Sequence, residues 1–130
     1  MGTKPYDILI VEDEEGIRIN LAAFLDDEGF NSIGVGTGEE ALELVKSGQH
    51  FDLAIVDLRM PGMDGDEFII KAAEVNPSLK YIIYTGSLEY ILTKRLLALN
   101  LTKDNNLIFK PSIDMSEITR AIYANLEPDK

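Results

Sequence analysis

Several polar side chains in this 130-residue chain stand where a short apolar run stops and a loop begins. Glu12 and Asp13 follow Ile8-Leu-Ile-Val11, Asp57 follows Leu53-Ala-Ile-Val56, Thr85 follows Tyr81-Ile-Ile-Tyr84, and Lys110 follows Leu107-Ile-Phe109. If the runs are strands of one parallel sheet, these residues share one edge, the edge outside which ligands bind in open α/β sheets. Three carboxylates gathered there repel one another and raise their own pKa values unless a cation sits among them. Oxygen donors on short loops open to water suit Mg2+, which keeps several waters and takes one or two carboxylates. A lysine and a hydroxyl facing that cation complete a cradle for a tetrahedral dianion. Phosphoryl transfer needs this equipment, namely charge neutralisation on the oxygens and an in-line nucleophile. An Asp carboxylate can be that nucleophile, forming an aspartyl phosphate. Taken singly, an Asp after a strand has a plainer role in capping a turn.

The elements that must position these residues are read from apolar periodicity. Each run is continuous rather than alternating and too short for a helix, so each predicts a strand covered on both faces, as in a parallel sheet. Strands are expected from Tyr6 to Val11, Phe30 to Val35, Leu53 to Val56, Lys80 to Tyr84 and Leu107 to Phe109. Between them, helical spacing places Ile17, Leu21, Phe24 and Leu25 on one face before a stop at Gly29, and Ala41, Leu42 and Val45 on another before Gly48. Further helices are expected from Asp66 to Val75, from Leu88 to Leu99 and from Met115 to Leu126. Five strand–helix units in strict alternation predict right-handed crossovers and a parallel sheet with helices on both faces.

Composition narrows the function classes. The length suits one domain, expected over 1–130 with a core from about Tyr6 to Leu126. There is no cysteine, which excludes disulfides and thiolate metal sites. No apolar run approaches the roughly 20 residues that span a bilayer, and the first residues do not read as a signal peptide, so a cytoplasmic protein without membrane attachment is expected. The net charge of −11 opposes direct contact with nucleic acid, because counterion release requires clustered Lys and Arg. Most of the 23 acidic residues read as solvated surface.

The ordered set Ile8-Leu-Ile-Val-Glu-Asp-Glu14, Asp57-Leu-Arg-Met-Pro-Gly-Met-Asp-Gly65, Tyr84-Thr-Gly86 and Phe109-Lys-Pro111 resembles the receiver domain of two-component response regulators over essentially the whole chain. The resemblance implies a flavodoxin-like fold with strand order 2-1-3-4-5, for which a receiver protein is a standard example. It makes Asp57 the acceptor of a phosphoryl group from the phosphohistidine of a sensor histidine kinase or a phosphotransfer protein. Asp13 and Asp57 would ligate Mg2+ directly, Glu12 would act through water, and the backbone carbonyl of Arg59 would supply a further ligand. Thr85, Lys110 and the Gly86 N–H would meet phosphoryl oxygens, and Lys110-Pro111 looks like the family's cis peptide bond. Arg59 and Ser87 would border the site and tune phosphate lifetime. An output domain, a partner protein or a homodimer would read the switch, and the domain would catalyse only its own phosphorylation and dephosphorylation.

Some positions depart from the family pattern. Leu107 stands where receivers place Tyr or Phe on the fifth strand, which puts the usual Thr–aromatic readout in question and keeps a phosphorylation-independent binding module as an alternative. Leu101-Thr-Lys-Asp-Asn-Asn106 replaces a small-residue turn, so a reshaped fourth helix and following loop are expected. Glu12 stands where Asp is commoner, and Arg59 would reach back to Glu12 in the metal-free state or simply lie exposed. An Asp-nucleophile phosphatase would need a second Asp two residues after Asp57, where Arg59 stands. An EF-hand loop from Asp57 is excluded by Arg59, Pro61 and Phe68 at ligand positions. Gly34-Val-Gly36-Thr-Gly38 lacks the spacing of a nucleotide loop and reads as a turn. His50 reads as a surface residue with no partner in sequence, and Tyr81, Tyr84 and Tyr90 as packing residues.

Overall fold

A computed structural model describes residues 5–86, 94–110 and 115–128, with the Lys103 side chain left aside. The chain runs β1 (Asp7–Val11), α1 (Glu15–Asp27), β2 (Asn31–Val35), α2 (Gly38–Lys46), β3 (Leu53–Val56), α3 (Gly65–Val75), β4 (Lys80–Thr85), α4 (Lys94–Leu97), α5 (Lys103–Asn106), β5 (Leu107–Phe109) and α6 (Ser116–Leu126). The five strands form one sheet in the order β2-β1-β3-β4-β5 with every pairing parallel. This is the expected topology. Ser87, Tyr90 and the Lys110–Pro111 peptide bond lie wholly or partly outside the described residues.

Burial on both faces explains the unbroken apolar runs. Successive strand residues point to opposite faces, so Leu9, Val11, Ala54, Val56, Tyr81 and Ile83 pack with Leu42 and Val45 of α2 and Phe68 and Ile69 of α3. Their neighbours Ile8, Ile10, Leu53, Ile55, Ile82 and Tyr84 pack with Leu21 and Leu25 of α1 and Ile118 and Ile122 of α6. β2 is the exception, an edge strand whose residues are exposed or half-buried. Among the described residues no helix is long and apolar enough to cross a membrane.

The helix starts follow local chemistry. Thr37 caps α2 by accepting from the Glu40 N–H at 3.1 Å, and Asp64 caps α3 by accepting from the Glu67 N–H at 3.0 Å. Past α1 the chain turns through Gly29 at φ +89°, a conformation that glycine adopts without a Cβ penalty.

Strict strand–helix alternation fails between β4 and β5, where α4 and α5 are two separate helical pieces. Asn100 takes φ 68° and stops the first. Thr102 starts the second by accepting from the Asn105 N–H at 3.2 Å. The buried Asn106 amide then donates to the Tyr81 carbonyl at 2.7 Å and to Asn125 Oδ1 at 2.9 Å, tying the extra turn to β4 and α6. The run expected to be loop is thus a capped, clasped turn.

Candidate metal and phosphoryl site

The parallel ladder does not stop where the strands are assigned to end. The Glu12 N–H donates to the Val35 carbonyl at 3.1 Å, the Asp57 N–H to the Val11 carbonyl at 2.9 Å, and the Lys110 N–H to the Thr85 carbonyl at 2.7 Å. These bonds set Glu12, Asp57, Thr85 and Lys110 in a row along the C-terminal edge of the sheet.

Their side chains converge. Lys110 Nζ lies 2.5 Å from Glu12 Oε1 and 3.4 Å from Asp57 Oδ2. Carboxylate oxygens of Glu12, Asp13 and Asp57 fall within 4.8 Å of one another. Glu12 Oε2 also accepts from the Glu14 N–H at 3.1 Å, and Asp57 Oδ1 faces the Arg59 N–H at 3.4 Å. Glu12 and Asp57 are only 2% and 7% exposed, Thr85 is fully buried, and Asp13 is open to solvent.

Removing two carboxylates from water is costly, and the electrostatics record it. Burial pushes the Glu12 carboxyl above the usual carboxylate range, against the opposing pull of its hydrogen bond from Lys110. Burial likewise pushes up the Asp57 carboxyl, against the Lys110 charge and the Arg59 N–H. Burial alone would lower the Lys110 ammonium, but Glu12 and Asp57 outweigh it and hold the group above its ordinary value. Such a cluster is poised to take a further cation.

Close backbone approaches hold the loop after β3. A Cβ on Gly65 would sit 2.5 Å from the Asp57 carbonyl oxygen, so only glycine lets α3 begin against the acid-bearing residue. Gly62 takes φ +76°, and the Met63 N–H beside it donates to Glu39 Oε2 of α2 at 3.0 Å. Arg18 of α1 donates from Nη1 to the Glu12 carbonyl at 2.8 Å; its stem lies over the bare backbone of Gly34 and its guanidinium over that of Gly36. Sequence reasoning named neither Glu39 nor Arg18 as a support. The glycines facing them were the signal.

The geometry thus brings Glu12, Asp13, Asp57 and Lys110 together and sets Thr85 beside them. Arg59 lies in the adjoining loop and is exposed. Leu107 is buried in the core cluster that also holds Leu96, Tyr81 and Phe68, paired with Ile83 of β4. His50 is a surface residue, as expected, 69% exposed. It has partners, for its Nε2 lies 3.1 Å from Asp52 Oδ1 and 3.7 Å from Asp7 Oδ2, at the opposite edge of the sheet. Those partners enter from strand pairing, which aligns Ile8 with Leu53 and so sets Asp7 beside Asp52.

An open, doubly covered parallel sheet with acids and a lysine at its carboxyl edge defines a receiver-type α/β domain. The family model for the response regulator receiver domain matches residues 8–123, and the chain belongs to that family, the phosphoacceptor modules of two-component signalling. It is 36% identical over 86 residues to sporulation initiation phosphotransferase F of Bacillus subtilis, a match covering 65% of this chain and 68% of that protein. It is 30% identical over 90 residues to the sensor kinase CckA of Brucella abortus, covering 68% of this chain but only 10% of the kinase. A receiver domain protein from Methanospirillum hungatei superimposes with TM-score 0.82 at 26% identity, covering 96% of both chains. The response regulator TrrA of Thermotoga maritima, solved in complex with Mg2+ and BeF, gives TM-score 0.81 at 28% identity, covering 93% of this chain and 99% of that one.

Proposed function

We propose that Asp57 is the phosphoacceptor of a two-component phosphorelay, receiving its phosphoryl group from the phosphohistidine of a sensor kinase or a phosphotransfer protein. The observation that carries this reading is the contact of one lysine with two dry carboxylates, Glu12 and Asp57, beside the solvated Asp13.

The donor set fits Mg2+, since it offers oxygens only. By resemblance to the family, Asp13 and Asp57, with the Arg59 carbonyl, would hold the ion directly and Glu12 would act through water. The ion supplies charge neutralisation at the phosphoryl oxygens. An Asp57 oxygen forms the new bond to phosphorus as the bond from phosphorus to the histidine nitrogen breaks. The electron pair stays on the departing nitrogen, which is protonated in turn. Lys110 then exchanges its contact with Asp57 for one with a phosphoryl oxygen, while Thr85 and the Gly86 N–H serve the others.

The added charge biases a pre-existing equilibrium of the surrounding loops. Because Leu107 has no ring to rotate and is held in the core, the readout runs through α4, α5 and their loops rather than an aromatic on β5. An output domain, a partner protein or a second copy reads that surface. The domain acts on no substrate but itself, and it works in the cytoplasm, where its kinase partner is active.

The test is incubation with acetyl phosphate and Mg2+ followed by intact mass measurement under conditions that preserve acyl phosphates. One added phosphoryl on the parent protein and none on Asp57→Asn is expected. An unmodified parent protein would turn the reading to a phosphorylation-independent binding module.

A further inference from the structure

The N-terminal edge of the same sheet carries a mixed donor set outside the site just described. Asp7 opens β1, and His50 and Asp52 lead into β3, its neighbour in the sheet. One imidazole nitrogen and one oxygen from each carboxylate all lie within 4.8 Å of one another. His50 Nε2 sits 3.1 Å from Asp52 Oδ1 and 3.7 Å from Asp7 Oδ2.

Those separations match a shared ion. Zinc bonds of about 2.0–2.1 Å to nitrogen and oxygen in a tetrahedron leave ligand atoms roughly 3.4 Å apart. The other carboxylate oxygens are already occupied, as outer partners of ligating carboxylates usually are. Asp52 Oδ2 accepts from the Asp7 N–H at 2.8 Å, and Asp7 Oδ1 from the Asn31 amide at 3.2 Å. Each carboxylate is thereby oriented with its second oxygen toward the imidazole, Asp52 Oδ1 within hydrogen-bond distance of Nε2, a bond that a shared ion would replace. A cavity of about 70 Å3 lined by Asp7, Asn31, Ser32 and His50 opens beside the cluster and leaves room for water as a fourth ligand.

We propose that Asp7, His50 and Asp52 form a second divalent-cation site of zinc type, which joins the starts of β1 and β3 at the pole opposite Asp57. An imidazole with two carboxylates selects a borderline first-row ion over Mg2+, which the all-oxygen edge prefers. The proposal is independent of the phosphoacceptor reading, because it shares no residue with it.

Zinc titration by calorimetry on the full chain tests it, using Asp13→Asn/Asp57→Asn to disable the acidic edge. One equivalent of zinc should still bind, and adding His50→Gln should weaken it about tenfold or more. His50 is 69% exposed, so this change leaves the fold intact. It is also the single histidine of the chain, so its ring resonances report ligation directly and should shift with the first equivalent. Zinc uptake unaltered by His50→Gln, ring resonances that do not move, or no uptake by the disabled double variant would each overturn the proposal.

Discussion

The two edges of the sheet hold similar inventories, carboxylates gathered around one basic group, and treat them in opposite ways. At the carboxyl edge Glu12 and Asp57 are almost dry and share a lysine. At the amino edge Asp7, Asp52 and His50 are 35%, 24% and 69% exposed, and their spare oxygens rest on N–H donors. Solvent exposure and two N–H donors satisfy the second cluster, whereas the first carries a desolvation cost that Lys110 and the Glu14 and Arg59 N–H groups offset only in part. Among the described residues, charge is held dry at the edge where phosphoryl transfer is proposed, at the expense of stability.

Substitutions that separate the edges sharpen this contrast, and the largest effect falls on Lys110. Lys110→Met leaves two buried carboxylates facing each other. It should lose about 3 kcal/mol in metal-free urea unfolding at neutral pH. A loss as small as that of a surface pair would mean the edge is wetter than described.

Asp57→Asn should act in the opposite direction, raising stability by about 1 kcal/mol at neutral pH. Burial lifts the folded-state Asp57 carboxyl above its unfolded value. As pH rises from the unfolded toward the folded value, the unfolded chain releases its proton first and the fold loses relative stability. The gain from Asp57→Asn should therefore vanish below about pH 4, where the carboxyl is protonated in both states. Unfolding curves of both proteins across that range check it, and Lys110 keeps Glu12 as partner in the variant.

On the amino edge the same measurement should return little. His50→Ala in metal-free solution should change stability by less than about 0.5 kcal/mol, as for other exposed pairs. The smallest effect is local. The Tyr6 phenol donates to Glu127 Oε2 and is pushed up to about 12 by that bond, by burial and by the Glu127 charge. Glu127→Gln should return its titration toward 10, read from the Tyr6 ring resonance, with stability unchanged.

Much of the carboxyl edge was legible in the sequence because β1, β3, β4 and most of β5 are buried on both faces. An unbroken apolar run marks where such a strand ends, so Glu12, Asp57, Thr85 and Lys110 could be placed without coordinates. The amino edge was not legible in this way. Asp7 and Asp52 meet through the register between β1 and β3, and His50 lies outside any apolar pattern. The strand order implied by the resemblance puts the two strand starts side by side, but no apolar boundary marks which residues meet there. The stretch before β5 was legible as a reshaped helix and loop, but not as a second helical turn. Thr102 and Asn106 have the side chains of a loop, and only their caps and the clasp to Asn125 make a helical turn.

The most direct test of the account is to locate the modification. After treatment with acetyl phosphate and Mg2+, borohydride reduces an aspartyl phosphate to homoserine, which peptide sequencing by mass spectrometry can assign. Homoserine should appear at Asp57 alone, abolished by omitting the divalent ion and strongly reduced by Lys110→Met. Homoserine at Asp13 or at any other carboxylate, with Asp57 recovered intact, would contradict it.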